Sequence, residues 1–219
     1  MAMAARLVIR MTDATDRLRL VQWLSPAFPI GAFAYSQGLE TAITVRDVHD
    51  ATTLQDWITA ILTHGSGRTD AILLAHARAG ADLTDFALAL APSVERVTEM
   101  TEQGRAFGQA VTAITGDAQP ALPYALAVGH ATRALQVGTA EVLTLWLQGL
   151  AAQLVSVGVR FIPLGQTAGQ GVLARLVPLI TALAARYATA PLSDIGTATI
   201  RADLASMQHE TLAVRIYRT

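Results

Sequence analysis

Two prolines three residues apart, with a glycine two residues after the second, constrain this chain more than any other feature. In Ser25-Pro26-Ala27-Phe28-Pro29-Ile30-Gly31 each proline fixes its own φ and pushes the residue before it out of the helical region. A helix suggested by Leu18 to Leu24 therefore has to stop near Ser25, and Gly31 permits a sharp turn. Beyond it Phe33 and Tyr35 alternate with Ala32 and Ala34, and Ser36 stands where an N-cap would open a helix through Leu39, Glu40 and Ile43. The stretch reads as helix, rigid elbow, helix. A simple elbow has no need of Tyr35, Ser36, Gln37 and Glu40, so these four are either caps and packing residues or a contact site.

The rest of the chain supplies helices to surround that elbow. Asp16 is read as the cap of a first helix that carries Leu18, Val21 and Trp23 or Leu24 inward. Leu54, Trp57, Ile58, Ile61 and Leu62 follow helical spacing from Thr52 or Thr53 to the break Gly65-Ser66-Gly67. Asp70 to Arg78 and Asp82 or Thr84 to Ala91 read as short helices. Ser93 caps a long one, with Val94, Val97, Met100, Gly104, Phe107, Val111 and Ile114 along one face. Gly104 and Gly108 on that face predict close approach by another backbone, because each costs about 1 kcal/mol of helix propensity. Pro123 to Leu135, Thr139 to Val159 and Val172 to Tyr187 complete the pattern, with a loop from Pro163 to Gly171 and a tail that is helical through Met207. No alternating strands or internal repeat are visible. The expected fold is all-α, a single-domain helical bundle over 1–219 of roughly eight to ten helices, with a flexible segment at 1–15 and a partner-dependent tail at 203–219. The tail is expected to be disordered beyond Met207 in the free protein.

Composition narrows the chemistry. All 16 basic residues are arginine, which removes a phosphate-binding P-loop lysine, a Schiff-base lysine and a lysine general base. The absence of cysteine removes thiolate catalysis, disulfides and cysteine metal sites and fits a reducing compartment. A net charge of -1 gives no field for nucleic acid. The N-terminus holds only Leu7 to Ile9 as an apolar run, far short of a signal-peptide core. Val142 to Val159 carries no charge and reaches the lower edge of a membrane span, but Thr144, Gln148, Gly149, Gln153 and Ser156 mark it as a buried core helix.

Three motifs fall short of catalytic patterns. Ala34-Tyr35-Ser36-Gln37-Gly38 misses the nucleophile elbow G-x-S-x-G at its first position and has no strand before it, although Asp194 and His209 follow in hydrolase order. His209-Glu210 begins a zincin pair, but Ala213 takes the place of the second ligand. Gly165, Gly169 and Gly171 lack the lysine and the strand of a phosphate loop, so Gln166 and Gln170 read as capping or contact residues. In the tail, Arg215 and Arg218 flank Tyr217, two charge forks around an aromatic anchor.

The run from Pro26 to Glu40 resembles the N-terminal signature of the UreF family of urease accessory proteins. Further blocks resemble that family in order: Pro123-Tyr124-Ala125 with Gly129, Val155-Ser156-Val157-Gly158-Val159-Arg160 leading into Pro163-Leu164-Gly165-Gln166-Thr167 with Gly169-Gln170, and Met207-Gln208-His209-Glu210-Thr211 with Arg215 and Arg218. The resemblance implies an all-helical, dimerising, non-catalytic cytoplasmic chaperone without a cofactor of its own. Its implied partners are UreD (also called UreH), the GTPase UreG and apo-urease, with nickel and GTP held by the partners and no role for membrane or nucleic acid. It implies partner contacts at Tyr35, Ser36, Gln37 and Glu40, at Gln166 and Gln170, and at His209, Glu210, Arg215 and Arg218. Leu212-Ala213-Val214 departs from the polar or aromatic stretch usual in the family at that point. The alternatives are a serine hydrolase built on Ser36 and His209, a membrane-associated helical protein, and a helical adaptor of unassigned partner.

Overall fold

The computed structural model describes residues 14–218, and among them every regular element is a helix. The first, α1, occupies 14–23 and ends at the proline elbow. It is followed by α2 (Leu39–Thr44), α3 (Ala51–His64), α4 (Ser66–Ala79), α5 (Thr84–Ala89), α6 (Val94–Thr115) and α7 (Tyr124–Ala131). The long hairpin α8 (Thr139–Phe161) and α9 (Gly165–Tyr187) comes next, and α10 (Ile200–His209) closes the order. The expected flexible segment at 1–15 lies outside the described residues except for its last two.

The hairpin α8/α9 is the axis of the bundle, with α3 laid against α9 and α4 against both α3 and α7. The core gathers Leu54, Ile58 and Leu62 from α3, Ile72 and Leu74 from α4, Phe107 from α6, Leu143, Leu147 and Leu154 from α8, and Val172, Leu176 and Ile180 from α9. Each is a position that the 3.6-residue period turns inward. The helix α10 stands apart from this axis and packs on α2 and the start of α6.

Local chemistry sets the boundaries. Asp50 caps α3, its carboxylate accepting from Thr53 N at 2.8 Å while Thr53 Oγ1 accepts from Asp50 N at 3.0 Å, so the start lies at the cap two residues ahead of the threonines. Ser93 caps α6 as expected, accepting from Arg96 N at 3.1 Å. Gly104 is required: a Cβ there would lie 2.0 Å from Leu122 O, where the chain enters α7.

The structure corrects several readings. Asp16 is not a cap but sits inside α1, buried, accepting from Gln136 N at 2.8 Å. The inward stripe of α1 is Asp16, Leu20 and Trp23, which leaves Leu18 and Val21 exposed, because the polar member of the stripe is paired rather than solvated. Val94 and Ile114 at the two ends of the α6 face are likewise exposed. The break Gly65-Ser66-Gly67 is a single joint, since α4 begins at Ser66 directly after the Gly65 cap of α3. The loop 163–171 is helical from Gly165, so Gln166 and Gln170 occupy the first turns of α9, and Pro178 stands within that helix. Both α8 and α9 are long and apolar enough to cross a membrane, with 50% and 39% of their most apolar windows buried inside the bundle.

Candidate functional site

Backbone geometry brings the elbow and the chain end together. Gly31 has φ 74°, a single 3-10 turn covers Ala32–Ala34, and Tyr35 is extended. Gln37 is left-handed at φ 53°, a conformation unusual for a residue with a Cβ. Both ends of its side chain are tied: Nε2 donates to Glu99 Oε1 at 3.0 Å and Oε1 accepts from Ser66 Oγ at 3.0 Å. Gly38, at φ 78°, caps α2 in place of Ser36, and a Cβ there would lie 2.7 Å from Ser206 N. The backbone of α10 therefore rests directly on the elbow. Ser36 is fully buried, and its Oγ accepts from Glu40 N at 3.3 Å.

Beyond α10 the chain folds back across the elbow. Arg218 N donates to Ala34 O at 2.7 Å. The Tyr217 ring is buried against Phe161, ring centres 5.4 Å apart. Ile216 N and Tyr217 N both donate to the buried carboxylate of Glu40, at 3.0 and 2.9 Å. Burial of Tyr217 and satisfaction of these amides supply what a detached tail would lack.

The acids that receive the tail lie on α2 and α6. Glu40 also faces His209 Nε2 at 3.0 Å, and Glu95 faces His209 Nδ1 at 2.8 Å while accepting from Arg215 at 2.6 Å. Glu102 Oε2 accepts from the Tyr35 hydroxyl and from Arg218, each at 2.6 Å, and the Arg218 guanidinium stands 5.7 Å from the centre of the Tyr35 ring. Glu210 accepts from Val94 N at 2.8 Å at the start of α6. Deeper, the buried Arg96 joins Asp70 and, at 2.8 Å, Glu99.

Protonation follows from these contacts. Burial pushes the Glu40 carboxyl up, but the bonds from His209 and the two tail amides outweigh it, and the group lies below its ordinary value. The Tyr35 hydrogen bond, with Arg218 behind it, holds Glu102 below the usual range. Burial, then Glu102, raises the Tyr35 phenol far above its ordinary value. Burial raises Asp70 despite its Arg96 partner.

Eight of the ten residues singled out in the sequence thus meet in one place, in different roles. Tyr35, Ser36, Glu40 and His209 are buried, and of these Glu40 and Tyr35 accept hydrogen bonds from the tail; Gln37 is half-buried; Glu210, Arg215 and Arg218 lie at the surface. Gln166 and Gln170 are exposed on α9, and among the described residues no hydrogen bond joins them to the elbow or tail. His209 gives both ring nitrogens to carboxylates, so the hydrolase pairing with Ser36 has no geometric support. Among the described residues no group of three histidine, aspartate or glutamate side chains is placed to hold a metal ion.

Sequence reading missed Glu95, Glu99 and Glu102. They recur at intervals of four and three in Val94-Glu95-Arg96-Val97-Thr98-Glu99-Met100-Thr101-Glu102, an acidic stripe that a search for apolar periodicity passes over. Beneath the elbow, next to this stripe, lies a cavity of about 160 Å³ bordered by Phe33, Gln37, Arg96, Trp146, Gln153 and Tyr217.

The sequence model of the UreF family matches residues 48–177. Three proteins named urease accessory protein UreF align over nearly the whole chain. One from Cereibacter sphaeroides is 57% identical, covering 92% of this chain and 98% of its own. One from Dinoroseobacter shibae is 48% identical, covering 93% and 98%, and one from Rhodopseudomonas palustris is 42% identical, covering 95% and 100%.

Proposed function

Because the chain belongs to the UreF family and so serves urease maturation as an accessory protein, we propose that it is a non-catalytic adaptor joining UreD (UreH) to the GTPase UreG for nickel insertion into apo-urease. In this reading nickel and GTP reside on the partners. The adaptor works as a homodimer in the cytoplasm, without contact to membrane or nucleic acid.

The observation that supports the reading best is the seam between elbow and tail. Phe33, Val214 and Ile216 are 72%, 83% and 73% exposed, beside the Arg218–Glu102 pair. Apolar groups ringed by charge forks have the composition of a protein contact. Glu40, His209 and Tyr35 hold that surface in shape from below, which gives the buried motif residues an indirect part in binding. Glu210, Arg215 and Arg218 are its direct contacts, and Gln166 and Gln170 form a second contact on α9.

Co-purification with co-expressed UreD and UreG tests this. The full chain is expected to retain both partners, and a chain ending at Ser206 to lose at least one. Arg218→Ala, which leaves the core untouched, is expected to weaken the same association. Absence of any complex with the full chain would overturn the adaptor reading.

A further inference from the structure

Beside the elbow the fold leaves one face of α8 half covered. Leu145, Gly149, Ala152, Ser156 and Arg160 recur at intervals of three and four and so stand on one stripe of the helix. All five line the cavity beneath the elbow, together with Ile30 and Phe33 of the elbow and Tyr217 of the tail. Leu145, Gly149 and Ala152 are half-buried and Ser156 and Arg160 exposed, so the space opens to solvent along the stripe.

The polar groups of this cleft divide into those the fold satisfies and those it does not. Asp70, which also lines it, is bound to Arg96; Gln37 is tied at both ends; Gln153 donates to Tyr35 O at 2.9 Å. Trp146 and Tyr217 are only 7% and 5% exposed, yet among the described residues neither the indole Nε1–H nor the hydroxyl has a hydrogen-bond partner. Buried polar groups are rarely left in that state, because they lose water and gain nothing in exchange. Arg160, at the rim, has no ion pair or hydrogen bond among the described residues. What stays open is an apolar space with three groups that can donate, two of which can only donate. Its complement is an apolar body that carries acceptor oxygens and negative charge.

We propose that this cleft is a docking site for a partner protein, which inserts one aromatic or large aliphatic side chain with an aspartate or glutamate beside it. At about 160 Å³ the cavity is close to the roughly 150 Å³ that holds a benzene ring, so it takes a single ring. The partner's backbone carbonyl or carboxylate accepts from Trp146 and Tyr217, and its acid pairs with Arg160. Phe33, 72% exposed, and Arg160 lie at the mouth, and an occupant that covers both has to extend across the surface, as a protein segment does and an enclosed small molecule does not. Tyr217 makes part of the wall, so the cleft is complete only while the tail lies on the elbow. The identity of the partner, UreD or UreG, rests on the adaptor reading above.

Photo-crosslinking in the co-expressed assembly tests it, with p-benzoylphenylalanine in place of Ser156. An adduct with UreD or UreG is expected. Arg160→Glu, a change at an exposed position that leaves the fold intact, is expected to lower the yield of that adduct about tenfold. Ala152→Phe, which fills the cleft from within, is expected to lower it as well, and R160E alone decides if A152F does not fold. A complex that forms without an adduct at position 156, or an adduct indifferent to R160E, would overturn the docking site and leave the adaptor reading standing. An adduct between two copies of this chain alone would overturn it in favour of a dimer contact. Absence of any complex would overturn both.

Discussion

Tyr35 and Arg218, 183 residues apart, share a single carboxylate oxygen: both donate to Glu102 Oε2 at 2.6 Å. The tyrosine is buried, and the arginine lies over its ring with its backbone N–H on Ala34 O. One acid on α6 thereby ties the elbow to the end of the chain, and the rigidity of the elbow becomes the rigidity of the tail.

Replacing that arginine tests the tie from its exposed side. Arg218→Ala removes the contacts to Glu102 and Tyr35, but both charges are substantially solvated, so the expected loss is about 0.5–1 kcal/mol by urea unfolding. Arg218→Lys should recover only part of it, since an ammonium cannot reproduce the planar fork over the ring. Exchange at the 216–218 amides should quicken in both variants, more in the alanine.

Glu40 is the more costly acid to lose. Glu40→Ala leaves two backbone amides and His209 without their acceptor in a buried setting, and about 3 kcal/mol of destabilisation is expected by urea unfolding. A loss near zero would mean that water replaces the carboxylate and that the tail does not depend on it.

Two helix glycines should respond with opposite sign to alanine. Gly104→Ala would put its Cβ 2.0 Å from Leu122 O, and forcing the α6/α7 junction apart is expected to cost about 2 kcal/mol or more despite the gain in helix propensity. Gly149 in α8 has its nearest neighbour, Leu24 O, at 3.7 Å, an ordinary contact. Gly149→Ala is expected to stabilise by about 0.5–1 kcal/mol, measured as a rise in urea midpoint with unchanged slope.

These sites also mark where the sequence was readable. The elbow, the Ser93 cap, the close approach at Gly104 and the α3 core face follow from proline, glycine and apolar spacing, which act locally. The inward face of α1, the burial of Glu40 and His209 and the half-burial of Glu95 do not, because each depends on a partner more than a hundred positions away: Asp16 on Gln136, Glu40 and Glu95 on His209. Periodicity counts a polar residue as outward, and it fails wherever a distant group satisfies that residue inside. The contacts of the tail are hidden for the same reason. Leu212-Ala213-Val214 offers little to bury, and the hold is made instead by the backbone amides of Ile216 and Tyr217 and the ring of Tyr217.

The shifted acids give stability an acid limb whose sign can be assigned. The Glu40 carboxyl is lowered in the folded protein from an ordinary 4.5, so at low pH the unfolded chain binds the proton more readily. Its contribution is complete above that ordinary value and is lost as pH falls through the lower folded one. Glu102 acts in the same direction, weakened by its exposure. Asp70 and Asp203, raised by burial, act oppositely: each lowers stability once pH exceeds its folded value and relieves that cost on acidification. A single unfolding curve mixes these effects, whereas the difference between wild type and Glu40→Gln isolates one. That difference is expected to be constant from about pH 6 to about pH 5 and to shrink steadily below about pH 4.5. A difference that grew on acidification would mean that burial, and not the bonds from His209, Ile216 and Tyr217, dominates at Glu40.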